Sequence, residues 1–364
     1  MGLKEMKIKE HKFLPRLIAF EVTRTCNLDC IHCRAAASKG PYEGELTTDE
    51  VFRILEEIRE VAQPIIILTG GEPLLREDIF DIAKKCVELE LKPVLATNGT
   101  LITEEIAQKI KNSGIARVSI SLDGATKETH DNFRKMPGAF EGAVRGISIL
   151  KKAEIPFQIN TTVTGINVEE LPKIHELVIN LGAHAHHIFV LVPVGRGKEI
   201  ERESIPPEKY EEILNWFYER RGKSHLQLKA TCAPTYYRIL REKAKAEGKK
   251  VTFENFGLDA ITRGCLAGTG FCFISHMGIV QPCGYLEIPC GDLRKQTFKE
   301  VWENSEVFKN LRDFTKYKGK CGKCEYIRIC GGCRARAYEA TGDFLEEEPL
   351  CLFEPIRSKR TFAS

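Results

Sequence analysis

The chain of 364 residues has almost no excess of either charge: 54 Lys and Arg against 51 Asp and Glu leave +3 at pH 7. A nucleic-acid binder needs a basic excess or a basic stripe, so no nucleic acid is expected as a partner. Long apolar runs are missing as well. The purest stretch is Ile65-Ile66-Ile67-Leu68, far short of the ~18 residues that span a bilayer, so no membrane span is expected. The opening segment MGLKEMKIKEH is polar, without the apolar centre of a signal peptide. Gly2 is followed at position 6 by Met6, where a myristoylation motif has Ser or Thr. A cytoplasmic protein is the expectation. Internal repeats and low-complexity linkers are also lacking. Hydrophobic residues at 43% and charged residues at 29% exclude a disordered or collagen-like chain. At roughly 100–200 residues per domain, the length allows two domains or three.

Cysteine is abundant, with 14 residues. A chain of this size buries its own core and needs no disulfide staples. In a reducing compartment such cysteines are metal ligands or catalytic thiols. Three crowd into Cys26–Cys33, nine lie between Cys265 and Cys351, and only Cys86 and Cys232 stand apart. A disulfide framework would not leave the long middle of the chain nearly empty. Cys86 lies on the inner face of an amphipathic helix and reads as a small core residue.

From residue 16 to about residue 192, short apolar segments alternate with amphipathic ones. RLIAFEV, PIIILTG, KPVLATNG, ARVSISLDG, FQINTTV and AHHIFVLVP have strand character. Between them lie helical patterns, the first opened by the capping box Thr47-x-x-Glu50. Six strand–helix units imply an α/β fold with a parallel sheet and helices outside. Chemistry in such folds sits at the C-terminal ends of strands. Those ends carry Cys26, Thr69-Gly70-Gly71-Glu72-Pro73, Thr97-Asn98-Gly99 and Ser121-Leu122-Asp123-Gly124. After Pro193 the texture turns to charged helical segments, and beyond about residue 261 to irregular chain rich in Gly and Cys. The expected divisions are a core at 1–225, a helical connector at 226–260 and a Cys-rich region at 261–364.

CNLDCIHC is Cys-x3-Cys-x2-Cys, formed by Cys26, Cys30 and Cys33. A cubane iron–sulfur cluster usually takes four thiolates. Three on one loop hold three irons and leave the fourth open for another ligand. Zinc is the alternative, though it usually prefers paired spacings and a fourth ligand. With Gly70-Gly71-Glu72-Pro73 one unit further on, the pattern resembles the radical S-adenosylmethionine (SAM) enzymes. The resemblance implies a partial (β/α)6 barrel and a [4Fe–4S] cluster whose open iron is chelated by SAM. One electron then splits SAM, and the resulting 5′-deoxyadenosyl radical takes a hydrogen atom from substrate. It also implies SAM contacts at Gly70, Gly71 and Glu72, at Ser121, Asp123 and Asn160, and at Arg134, whose guanidinium suits a carboxylate. Many relatives have an aromatic residue just before the third cysteine; here His32 stands there and is the candidate to cover the adenine. The bland alternatives are a Gly-Gly turn, an N-cap for Asp123 and a solvated Arg134.

The tail reads Cys265-x12-Gly278-x4-Cys283, then Cys321-x2-Cys324-x5-Cys330-x2-Cys333, then Cys351. It is similar to the SPASM extension of many radical SAM enzymes, apart from a final spacing of x2 rather than x3. The resemblance implies one or two auxiliary [4Fe–4S] clusters. One takes Cys321, Cys324, Cys330 and Cys351. The other takes Cys265, Cys283 and Cys333 with Cys272, or with Cys290 in its place. A structural zinc at 321/324/330/333 is the alternative.

Segments along nearly the whole chain, among them RLIAFEVTRTCNLDCIHCRAAA, LKATCAPTYYRILRE and CGGCRARAYEATGDFLEEEPLC, resemble the haem synthases of the sirohaem-dependent route. This resemblance implies oxidative decarboxylation of two propionates of Fe-coproporphyrin III, or a related tetrapyrrole, to vinyls, fed by a low-potential electron donor. Such a substrate needs cations and an apolar or aromatic floor. Arg16, Arg34, Arg196, Lys198, Arg238 and Arg263 are candidates, with Tyr236, Tyr237 and Cys232. His184, His186 and His187 are candidate axial ligands to substrate iron. A strand points His186 and His187 to opposite faces, so at most one of that pair meets the pocket. Each of these side chains has an ordinary role as its alternative: solvated charge, packed ring, satisfied histidine or free thiol. The competing functions are a peptide- or protein-modifying SPASM maturase and a non-catalytic iron–sulfur or zinc protein.

Overall fold

Strand alternation and helical stripes together build one open sheet of ten strands. The computed structural model describes residues 13–356, so the polar opening segment with Gly2 and Met6 lies outside the described residues. The strands are β1 (Leu17–Thr23), β2 (Ile65–Gly70), β3 (Lys92–Thr97), β4 (Val118–Ser121), β5 (Phe157–Val163), β6 (Ala185–Val190), β7 (Gln227–Thr231), β8 (Phe271–Ile274), β9 (Ile279–Gln281) and β10 (Gly291–Asp292). Their order is β10-β9-β8-β1-β2-β3-β4-β5-β6-β7. β8 and β1 to β7 run parallel, while β9 and β10 are antiparallel. The α/β class and the unclosed barrel-like sheet thus hold.

Each strand sorts its residues by parity, because successive side chains point to opposite faces. Ile18, Phe20, Ile66, Leu68, Ile120, Ile159 and Ile188 are wholly buried. Their neighbours Leu17, Ala19, Ile67, Ser121, Asn160 and His187 line a cavity on the inner face. The helix Thr48–Val61 shows how the outer layer is fixed. Its capping box forms, with Thr47 N donating to Glu50 Oε2 at 2.8 Å. Val51, Ile54, Leu55 and Ile58 then make one buried stripe. Cys86, on the helix Ile79–Glu88, is wholly buried in the core.

The sheet does not stop at residue 225 or at 260. β7 extends it through LQLKAT, and β8 returns to pair with β1 in the register Leu17↔Phe271. Both strands are short and sit among charged helices or Gly- and Cys-rich chain, so their alternation is faint in the sequence. Among the described residues, no helix is long and apolar enough to cross a membrane.

Candidate active site

The loop after β1 carries the first three cysteines. Cys26 and Cys30 are buried and Cys33 is half-buried. Donors aim at all three sulfurs: Leu28 N lies 3.4 Å from Cys26 Sγ, Ala37 N 3.4 Å from Cys33 Sγ, and Arg134 Nη1 3.6 Å from Cys30 Sγ. Burial pushes the Cys26 thiol up to about 12 and the Cys30 thiol upward too. Without a metal these groups are neutral at pH 7, whereas coordination deprotonates a thiol outright. Sulfurs supplied with N–H donors fit thiolates on a cluster. Among the described residues no three His, Cys, Asp or Glu side chains converge on a single ion. A cubane demands no such convergence, since each thiolate binds its own iron.

Two neighbouring segments fix this loop. Gly195 has φ +53°, and a Cβ there would lie 2.2 Å from the Arg34 carbonyl oxygen, so only glycine permits the approach. Arg196 can then donate to the carbonyls of Cys30 and Ala37, each at 2.8 Å. On the other side Gly71 N donates to Thr23 O and Glu72 N to Thr25 O, both at 2.8 Å. A Cβ on Gly71 would lie 2.4 Å from Thr25 O. Gly70 and Gly71 thus face the cavity directly beside the cysteine loop.

The expected SAM contacts divide into two groups. His32, Ser121, Arg134 and Asn160 line the cavity with the two glycines. Ser121 and Asn160 are register partners across β4 and β5. The His32 ring packs on Phe133 with centroids 4.4 Å apart. Its buried Nδ1 has no hydrogen-bond partner among the described residues, and burial, helped by Arg134, keeps the ring neutral. An orphaned polar atom on an aromatic shelf fits a nucleobase.

Glu72 and Asp123 do not reach the cavity. Glu72 is wholly buried and accepts from Thr97 Oγ1 at 2.7 Å, Asn98 N at 2.8 Å and Leu74 N at 3.1 Å. Asp123 is wholly buried, accepts from Thr162 N at 2.7 Å and forms an ion pair with Arg134. Burial opposes the charge on Arg134, but Asp123 and Cys30 hold its pKa above the ordinary value. The chain Asp123–Arg134–Cys30 ties Asp123 to the loop that carries Cys30.

The later cysteines form separate groups. Cys321, Cys324, Cys330 and Cys351 line one small pocket. Donors again meet sulfur there: Tyr326 N to Cys324, Gly332 N to Cys330 and Glu348 N to Cys321, each at 3.4 Å. Cys265, Cys283 and Cys333 instead line the wall of the main cavity. Cys272 does not join them. It lies on the opposite face of β8 from Phe271 and Phe273, which do line the cavity, and its electrostatic neighbours are Cys290 and Arg312. Cys290 shares that buried neighbourhood.

The cavity holds about 1880 Å³ and follows the inner face of the sheet from the cysteine loop to the N-terminal ends of the strands. Of the expected substrate residues, Arg16, Arg34, Cys232, His184 and His187 line it. Arg34 is tied to Glu21 at 3.2 Å and lies over Phe273 at 4.3 Å. The others do not line it. Arg196 secures the cluster loop. Lys198 is exposed and pairs with Glu339 at 3.1 Å. Tyr236 and Tyr237 are core residues of the helix Thr235–Ala246, hydrogen-bonded to Arg221 and Asp259. Arg238 pairs with Glu211 and Glu242. Arg263 donates to Ile327 O and lies over Phe314. His186 is wholly buried between Thr161 and His175.

His187 is neutral, its pKa lowered to about 3 by burial and by Lys229 and Arg117. Gln158 Nε2 lies 3.0 Å from both Asn160 Oδ1 and His187 Nδ1. Its two hydrogens serve both, which leaves the proton of His187 on Nε2. In that tautomer Nε2 carries a donor suited to a carboxylate. The cations Lys92, Arg117 and Lys229 also line the cavity. Nothing about them stood out in the sequence. Strand parity is the signal that finds Lys92 and Lys229, once β3 and β7 are known.

Residues 20–178 match the model of the radical SAM superfamily, and residues 265–334 match that of the SPASM iron–sulfur cluster-binding domain. The chain is 55% identical over 341 residues to the AdoMet-dependent heme synthase of Methanosarcina barkeri, covering 94% of this chain and 97% of that protein. It is 54% identical over 342 residues to the enzyme of the same name from Nitratidesulfovibrio vulgaris, covering 94% and 93%. Among solved structures it resembles Streptococcus suis SuiB bound to the precursor peptide SuiA. That match has a TM-score of 0.73 at 17% identity and covers 94% of this chain and 76% of that one; it speaks for the fold alone. The chain belongs to the radical SAM superfamily, as an enzyme that uses SAM on a [4Fe–4S] cluster and carries a C-terminal domain for further iron–sulfur chemistry.

Proposed function

We propose that the enzyme oxidatively decarboxylates two propionates of Fe-coproporphyrin III to the vinyls of haem b. The observation that carries this reading is the single cavity. It joins the Cys26–Cys33 loop to an auxiliary cysteine group on its wall and to a set of cations further along. Among the described residues, Arg16, Lys92, Arg117 and Lys229 have no carboxylate at ion-pair distance, which suits the first three to pairing with propionates; burial lowers the pKa of Lys229, and a propionate beside it would favour its charged form. Inward Leu17, Ala19, Ile65, Ile67 and Val94 give the apolar floor that a macrocycle requires. Identity above half to heme synthases over nearly the whole chain favours the same substrate class.

When bound, the reduced cluster and SAM would supply a carbon radical able to take one hydrogen atom from the propionate β-carbon; the vinyl would then close with loss of CO2 and of one electron, for which an auxiliary cluster on the cavity wall would be the acceptor. The residues of this chain hold and shield that chemistry. Gly70 and Gly71 would let SAM approach the backbone, and Ser121 and Asn160 would serve its ribose. His32 covers the adenine, and Arg134 balances negative charge near Cys30. His187 donates its Nε2 hydrogen to a substrate carboxylate. A low-potential donor outside the chain feeds electrons in.

The test is anaerobic incubation of the reconstituted protein with SAM, reductant and Fe-coproporphyrin III. A mass loss of CO2 plus two hydrogens per propionate is expected. SAM cleavage with the porphyrin unchanged would overturn the substrate and direct attention to peptides. The Cys30→Ala variant is expected to lose SAM cleavage altogether.

A further inference from the structure

We infer that Cys232, and not Cys272 or Cys290, supplies the fourth thiolate beside Cys265, Cys283 and Cys333 on one auxiliary [4Fe–4S] cluster. The inference rests on the auxiliary-cluster reading and is independent of the porphyrin.

Three observations of the backbone bring these residues together. Cys265 N donates to Cys330 O at 3.0 Å, which ties the first cysteine of the group to the segment leading into Cys333. A Cβ on Gly264 would lie 2.5 Å from Pro234 Cβ and 2.7 Å from Cys330 O. Residues 264–265 are therefore wedged between the 232–234 turn and the 330–333 loop. Cys283 and Cys232 both pack against the buried cluster of apolar side chains that contains Cys333 and Leu286. All four cysteines line the same cavity wall.

The conformation at Cys232 points the same way. Its φ is +54°, a left-handed backbone that side chains other than Gly and Asn seldom adopt. Such strain persists where the surroundings over-determine it, and it clusters at functional sites. Here Arg336 Nη2 donates to Cys232 O at 2.9 Å, while Arg336 Nη1 is held by the buried Glu348 at 2.9 Å. Glu348 also accepts from Cys333 N at 2.6 Å. One buried network thus fixes Cys232 and Cys333 together.

Cys272 cannot substitute without a change of strand face. Phe271 and Phe273 point into the cavity, so Cys272 between them points away. With Cys232 in place every iron of this cluster has a thiolate. The cluster then has no vacant iron for substrate, unlike the one in the Cys26–Cys33 loop.

The test uses the full chain carrying Cys26→Ala, Cys30→Ala and Cys33→Ala, so that only auxiliary clusters give a signal. The protein is reconstituted anaerobically and studied by EPR of the reduced state, with iron and sulfide analysis and added 13C-cyanide. Adding Cys232→Ala is expected to alter or abolish one auxiliary signal; where the cluster survives, 13C coupling shows a newly open iron. Cys272→Ala and Cys290→Ala are expected to leave the spectra, iron content and cyanide response unchanged. An unaltered spectrum without cyanide coupling in Cys232→Ala would overturn the inference, as would a lost ligand in Cys272→Ala. Should Cys232→Ala precipitate, Cys232→Ser keeps the side-chain size, and a shifted signal supports the ligand while an unshifted one overturns it. A parent without any auxiliary signal would strike the cluster reading beneath, and is distinguishable because it precedes every Cys232 variant.

Discussion

The Cys26–Cys33 loop and the Cys321–Cys351 group are both cysteine nests with N–H donors on sulfur, yet they are built for different tasks. The first draws three thiolates from one short loop, clamped by the carbonyl contacts of Arg196 and by the close approach of Gly71. It lies on the wall of a large cavity. The second gathers four cysteines from a longer stretch around a small pocket of its own, next to the cavity wall that carries Cys333. Three ligands with an open side serve binding, whereas four closed ligands serve electron storage or structure. On the proposed reading, the chain separates chemistry from redox support by how many cysteines each loop contributes.

The largest expected effect separates the two nests outright. Cys30→Ala should abolish SAM cleavage, whereas Cys324→Ala should keep reductive cleavage and lose tetrapyrrole product. Chromatography of 5′-deoxyadenosine and of porphyrin from the same reaction reads both. Loss of cleavage in both variants would erase the distinction. Next comes the support of the first loop. Arg134→Ala removes the donor to Cys30 and leaves the buried Asp123 without its partner. Losses from such outer contacts run to roughly 10- to 100-fold in affinity or activity, measurable as SAM binding by equilibrium dialysis. Asp123→Asn should fall in the same range if the aspartate works through Arg134.

A smaller effect concerns the carboxylate that links β1 to the loop after β8. Burial alone would raise the pKa of Glu21, but Arg34, His276 and Arg24 outweigh it and hold it at about 2, against an ordinary 4.5. A depressed folded-state pKa stabilises the fold above about pH 4.5, and that contribution is lost as pH falls toward about 2. Glu21→Gln should therefore lower the urea midpoint at pH 7 by an amount worth about 2–3 kcal/mol. The gap to the parent should shrink steadily below pH 4.5; a gap independent of pH would refute the linkage. The smallest effect is at Lys198, exposed and, among the described residues, paired only with Glu339. Lys198→Ala should leave both SAM cleavage and product formation within twofold of the parent, in line with weak surface ion pairs.

What the sequence reveals follows from how each feature is encoded. Six strands are legible because Ile and Val alternate there against helical stripes, and the cysteine loops because their ligands are close in sequence. The direction of a side chain just beyond a strand end is not encoded locally. Glu72 and Asp123 stand in the right motifs but turn into the protein, where backbone amides and Arg134 satisfy them. Tyr236, Tyr237 and Arg238 look like a pocket lining beside Cys232, yet helix periodicity carries them into the core or to other acids. Cys232 itself stands far from Cys265 in the chain, and only the folded backbone at Gly264 and Pro234 reveals their proximity.

The position of β1 between β2 and β8 bears on how the protein is made. Leu17 leaves the ribosome well before its neighbour Phe271 is synthesised. At about 5–20 residues per second the wait is on the order of tens of seconds. During that interval the nascent first strand has one edge without its β8 partner. The sheet is therefore completed late in synthesis, by a pairing of long sequence separation that folds slowly.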